Sequence, residues 1–205
     1  MKKIVAIIFD LDGTLYPRNS PLYQSMSLLI RQWFRIQLGT DDTDHYERMK
    51  RMYPSPLEAI QVFELDIASF HKDVFDRLNP ELYLTENTKL QNLLELLPGK
   101  KFVVTLSSYK YAERVLKILG VRHFFSDIIV NSGSWHTSTK IDAYETIRQT
   151  NNWKPTEIYV VGDDPYVDLQ DAYVAGYRCI NVSDSIKLLG ITTINTLDEL
   201  NDILS

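Results

Sequence analysis

Asp10 and Asp12 stand two positions apart and are followed at once by Gly13-Thr14, and no other pair in the chain is better placed to do chemistry. They close the apolar run Ile4-Val5-Ala6-Ile7-Ile8-Phe9, which has the length and β-branched content of a strand buried on both faces. In an extended segment, residues two apart point to the same side, so two carboxylates meet at the end of a buried strand. At roughly 4 Å and an effective dielectric near 20, two such charges repel by about 4 kcal/mol. A hard divalent cation or a chemical role must offset that cost.

More residues with chemical capacity follow in order: Thr105, then Lys140 in a loop, then Gly162-Asp163-Asp164 with Asp168 beyond. Each has an ordinary structural reading when taken alone. Asp12-Gly13 makes a turn dipeptide, Thr105 a strand-end hydroxyl, Lys140 a solvated lysine. Asp164-Pro165 makes a helix N-cap with proline at the first helical position. Together, at successive strand ends, they describe one site.

The elements that must position them are strands alternating with helices. Strand-like runs are Lys101-Phe102-Val103-Val104-Thr105, Asp127-Ile128-Ile129-Val130, Glu157-Ile158-Tyr159-Val160-Val161-Gly162-Asp163 and Tyr177-Arg178-Cys179-Ile180-Asn181-Val182. Between them, Leu90, Leu93, Leu94 and Leu97 share a helical face that stops at Pro98-Gly99. Ala112, Val115, Leu116 and Leu119 share another that stops at Gly120. This alternation predicts an α/β fold, a doubly wound, mostly parallel sheet in a Rossmann-like three-layer sandwich, with ligands at the carboxyl ends of the strands. The stretch 17–83 breaks the alternation. It carries Leu28-Leu29-Ile30-Arg31-Gln32-Trp33-Phe34, a polar stretch from Gly39 to Asp44, and helical material from Pro56 to Leu78. The sequence therefore predicts a core of residues 1–16 and 84–205 and an inserted helical cap over 17–83, which lies where a lid would cover the site.

The 205 residues suit one domain with an insertion, and the formal net charge of −5 argues against a nucleic-acid surface. Cys179 is the only cysteine, so no intrachain disulfide forms, and a small buried core residue is the expected role. The N-terminal apolar run is too short for a membrane span. A cytoplasmic protein with no membrane partner, monomeric or homodimeric, is the expectation.

Asp10-Leu11-Asp12-Gly13-Thr14, Thr105, Lys140 and Gly162-Asp163-Asp164 with Asp168 resemble the four motifs of the haloacid dehalogenase-like hydrolase superfamily. The resemblance implies that Asp10 is a nucleophile forming an aspartyl-phosphate and that Asp12 moves the proton to the leaving oxygen and from water. It further implies Mg²⁺ held by Asp10, the main-chain carbonyl of Asp12 and Asp163. Phosphoryl oxygens would then be bound by Thr105, the amide of Leu106 and Lys140, with Asp168 orienting Lys140 or a metal-bound water. Leu106 stands where the family often has Asn, and Ser107 offers a nearby hydroxyl.

Dehalogenases and ion-pumping ATPases of the superfamily lack an acid at the second position, so Asp12 favours phosphate ester hydrolysis. The implied activity is a Mg²⁺-dependent phosphatase acting on a small phosphorylated metabolite. Leu15-Tyr16-Pro17 resembles the pyrimidine 5′-nucleotidase-like subgroup, which brings in a nucleoside monophosphate. The alternatives are a sugar-phosphate mutase of the β-phosphoglucomutase type and a catalytically weak binding or regulatory relative. Candidates for substrate specificity are Arg48, Lys50, Arg51 and Tyr53 in the insertion, Tyr109 and Tyr111 after Thr105, and Trp135 and His136 before Lys140. Trp33 and Phe34 fit a cap core.

Overall fold

Ala6–Phe9 forms the central strand β1, and all four of its residues are buried. Their alternation splits them between two layers. Ile7 and Phe9 join a cluster containing Leu90, Leu94, Val115 and Leu200, whereas Ala6 and Ile8 join one containing Ala143, Tyr144, Ile147 and Ala172. A strand covered on both faces in this way needs no polar positions, which is why its sequence is uninterruptedly apolar.

The computed structural model describes residues 3–40, 42, 45–53, 55–131, 139–183 and 188–204. Strands β2 (Lys100–Thr105), β3 (Phe125–Val130), β4 (Ile158–Gly162), β5 (Arg178–Val182) and β6 (Thr192–Ile194) join β1 in a sheet of order β3-β2-β1-β4-β5-β6, parallel throughout. This is the order of a doubly wound α/β fold. The register pairs Ile8 with both Phe102 and Val160. Asp10, Thr105 and Asp163 therefore leave adjacent strands at the same carboxyl edge. Cys179 is buried in β5.

Between β1 and β2 the chain is helical: α1 (Pro21–Gln37), α2 (His45–Met52), α3 (Pro56–Val62) and α4 (Ile67–Phe70), which continues as a π-wound turn, His71–Phe75. Ser20, Ser55 and Asp66 cap the starts of α1, α3 and α4 with side-chain oxygens, the first two followed by proline at the first helical position. The helical run expected from Pro56 to Leu78 is divided at Glu64, whose φ of 52° ends α3. Trp33 and Phe34 are buried, and Trp33 meets Phe70 with ring centroids 5.0 Å apart. A two-residue ladder, Asp12–Gly13 against Tyr16–Pro17, leads from β1 into this segment.

The remaining helices are α5 (Thr88–Leu96), α6 (Tyr109–Ile118), α7 (Ile141–Thr150), α8 (Asp171–Val174, preceded by a π-wound turn Pro165–Gln170) and α9 (Leu200–Leu204). Among the described residues, no helix is long and apolar enough to cross a membrane.

Candidate active site

Asp10 follows β1 directly, and its amide donates to the Val161 carbonyl at 2.9 Å, which ties the loop to the neighbouring strand β4. Its carboxylate is buried against the Lys140 ammonium. Lys140 precedes α7, and its amide donates to Val167 at 3.1 Å. Its Nζ lies 2.7 Å from Asp168 Oδ1. Burial pulls the Lys140 ammonium downward, but the Asp10 and Asp168 carboxylates override it and hold it above the ordinary lysine range. Asp168 also accepts from the Asp164 amide at 3.1 Å. It is nevertheless pushed up to about 7, first by burial, with Asp10 and Asp164 adding to it against Lys140.

Asp163 follows β4. It accepts from Thr14 Oγ1 at 3.3 Å and from Arg18 Nε, and burial, then the charges of Asp10 and Asp168, push it up to about 8. Carboxylate oxygens of Asp10, Asp163 and Asp168 all lie within 4.8 Å of one another. Asp12 turns elsewhere. Its Oδ1 accepts from Tyr16 Oη at 2.5 Å, and its Oδ2 accepts from Ser107 Oγ and, at 3.3 Å, from Thr105 Oγ1. Tyr16 and Tyr111 hydroxyls meet at 2.9 Å behind it. Burial, then the charge of Asp10, raises Asp12 to about 6 against these hydrogen bonds. Asp10, Asp12, Thr105, Ser107, Lys140, Asp163 and Asp168 floor a cavity of about 130 Å³, where Lys140 and Arg18 face the four carboxyls.

A family model for haloacid dehalogenase-like hydrolases matches residues 7–182. The chain belongs to this family. A pyrophosphatase, PpaX, from Bacillus pumilus is 23% identical over 190 residues, spanning 90% of this chain and 85% of that one. Among solved structures, a haloacid dehalogenase-like hydrolase from Streptococcus pneumoniae superposes with a TM-score of 0.66 at 19% identity, each chain covered completely. The haloacid dehalogenase-like hydrolase YfnB from Bacillus subtilis, described as bound to magnesium, superposes at 0.64 with 18% identity and 99% of each chain covered. At these identities the structures speak to the fold.

Within this haloacid dehalogenase-like chain, Asp10, Asp12, Thr105, Leu106, Lys140, Asp163 and Asp168 line one cavity. The third carboxylate grouped with Asp10 and Asp163 is that of Asp168, while the Asp12 side chain binds hydroxyls. Ser107, two residues beyond Thr105, donates its hydroxyl to Asp12, and its amide bonds Thr105 Oγ1 at 3.1 Å.

The candidates in the insertion lie elsewhere. Arg48 is exposed and paired with Asp42, Lys50 lies over the Tyr46 ring, Arg51 is exposed, and Tyr53 packs on Phe63. They sit on or beside α2, whose buried residues Tyr46 and Met49 face the helical segment's own core. Tyr109 is exposed at the start of α6, and Trp135 and His136 fall outside the described residues. The insertion reaches the cavity instead through Arg18, Tyr23, Met26, Ile30, Leu57, Ile67, Phe70 and Phe75. Tyr23, Met26 and Ile30 are spaced three and four apart on one helical face, a signal present in the sequence.

Proposed function

We propose that this protein is a Mg²⁺-dependent phosphatase that hydrolyses a small phosphate monoester through an aspartyl-phosphate on Asp10. The observation that carries the reading is the division of labour between two acids two residues apart. Asp10 is held by a buried ammonium at the cavity floor, and Asp12, ringed by hydroxyls, is lifted to about 6. A carboxyl near that value gives and takes a proton around neutral pH.

In the first step an Asp10 oxygen bonds phosphorus while the ester P–O bond breaks, and Asp12 protonates the departing alcohol. In the second, Asp12 takes a proton from water as that water attacks phosphorus, which frees Asp10 and releases phosphate. Lys140 and the Thr105 hydroxyl meet the charge spread over the phosphoryl oxygens, and the amide at 106 adds a donor. The 105–107 turn that presents them is fixed from outside by His71 Nε2–H, which donates to the Leu106 carbonyl at 3.0 Å.

The donor set suits a hard cation: oxygen ligands only, close together, with Asp163 pushed upward first by burial and then by the charges of Asp10 and Asp168. Asp10, Asp163 and the Asp12 carbonyl would hold Mg²⁺. Asp168 is engaged by Lys140 and the Asp164 amide and positions the former. When bound, the ion supplies positive charge beside the transferring phosphoryl group. We read 17–83 as a cap on a core of 1–16 and 84–205, supported by the helices α1 to α4 in its described part and by its residues that line the cavity, and we take the protein to be cytoplasmic.

The test is phosphate release from 4-nitrophenyl phosphate by the purified full chain. Activity should require Mg²⁺, vanish on chelation and be lost in Asp10→Asn. Wild-type activity in that variant would refute the nucleophile assignment.

A further inference from the structure

The cavity's floor and roof differ in kind. The floor carries Asp10, Asp12, Thr105, Lys140, Asp163 and Asp168, with Arg18 and Tyr23 of the insertion beside it, whereas the roof above is made of Met26 and Ile30 from α1, Leu57 from α3, Ile67 and Phe70 from α4, and Phe75. All six roof residues are apolar, and all but Ile67 are buried. The roof is seated on the floor by polar contacts outside the cavity: His71 to the Leu106 carbonyl at 3.0 Å, and Ser108 Oγ to Asp76 at 2.6 Å. Trp33, Phe34 and Val74 form the helical segment's own core, so the roof side chains are not all needed to hold that segment together.

Size and charge then restrict what the cavity takes. Its volume of about 130 Å³ spans floor and roof together and must take the phosphoryl group as well as what it is attached to, so the space left under the roof is small. The cations among the described lining residues are Lys140, on Asp10 and Asp168, and Arg18, which pairs with Asp163 and Asp164. Positive charge is therefore concentrated for one phosphoryl group at the floor. A second phosphoryl group, or a run of sugar hydroxyls, lying against these six apolar side chains would lose hydrogen bonds to water and find no polar partner among them, at a cost of several fold in binding per group.

Resting on the phosphatase reading above, we propose that the substrate is a phosphate monoester whose leaving group is compact and apolar, no larger than a small ring or short chain, seated against Met26, Ile30, Leu57, Ile67, Phe70 and Phe75.

The test compares kcat/KM of the full chain with Mg²⁺ on methyl, ethyl, propyl and butyl phosphate, whose leaving alcohols are similarly acidic. Glycerol phosphate, a hexose phosphate, a nucleoside monophosphate and pyrophosphate are run alongside. Each added methylene should raise kcat/KM by about fourfold, equivalent to about 0.8 kcal/mol, until the roof is filled. Propyl phosphate should exceed glycerol phosphate by at least about tenfold, the effect of two unmatched hydroxyls. Ile67→Thr should flatten the chain-length dependence.

A flat or falling series, or a preference for pyrophosphate, hexose phosphate or nucleotide, would overturn the proposal while leaving the phosphatase reading intact. Calorimetric binding of methyl to butyl phosphonate to the wild-type protein reads the roof without turnover. Affinity that climbs with chain length supports it even if hydrolysis fails, and uniform affinity overturns it.

Discussion

Two carboxyls separated by one residue behave differently here because their surroundings differ. Asp10 is met by an ammonium, whereas Asp12 is met by the hydroxyls of Tyr16, Ser107 and Thr105. Burial and then the Asp10 charge outweigh the hydrogen bonds from Ser107 and Tyr16, and Asp12 rises to about 6. The consequence is measurable. Asp12→Asn should lower kcat on an alkyl phosphate by about 10²–10⁴-fold, the usual range for a lost general acid. The loss should be much smaller on 4-nitrophenyl phosphate, whose leaving group departs without a proton. Equal losses on the two substrates would contradict the role. At this scale the floor was legible from the sequence, because Asp10, Thr105 and Asp163 sit where strands end, Lys140 lies in the loop ahead of α7, and the parallel order brings those ends together. The ring around Asp12 was less so: Tyr16 and Tyr111 meet across 95 residues, and nothing in either tyrosine's neighbourhood announces the other.

The loops between elements carry the tightest constraint. Gly13 has φ of +104°, and a side chain there would overlap the Asp163 carboxylate. Gly13→Ala should therefore cost about 1–2 kcal/mol through backbone strain alone and also displace Asp163. A denaturant midpoint would show the first effect, and a higher Mg²⁺ requirement for phosphate release the second. Wild-type values for both would show that the turn relaxes freely. Five strands of the sheet and the flanking helices α5 and α6 could be read from apolar runs and helical spacing, since burial on two faces writes itself into composition. Strand β6 could not, being three residues long with only Ile194 fully buried. Nor could the break at Glu64, because a non-glycine residue at φ of 52° occupies a conformation its residue type does not announce. The face of α1 that lines the cavity was written in Tyr23, Met26 and Ile30, but its direction depends on how the whole helix docks.

Across the whole molecule, the site is a reservoir of unfavourable charge, and this couples its protonation to folding. Asp12, Asp168 and Asp163 are raised to about 6, 7 and 8, against about 3.9 for an aspartate in an unfolded chain. Between pH 4 and 8 the folded protein thus holds protons that the unfolded chain has released. Stability must then fall as pH rises through this window, by up to about 1.4 kcal/mol per pH unit for each such carboxyl. The contribution is in full force below the unfolded value and gone above the folded one. A cation that takes up the same carboxylate charge competes with those protons, and it stabilises the fold most where protons have left. In chelator, Tm should therefore drop between pH 5 and 8. Saturating Mg²⁺ should raise Tm more at pH 8 than at pH 5, which flattens the profile. Asp163→Asn, which removes the most strongly raised group, should flatten the metal-free profile and shrink the Mg²⁺ response together. A metal-free Tm that stays level or climbs over that range would mean that the carboxylates are already compensated within the fold, and with that the case for a divalent cation at this floor would fail.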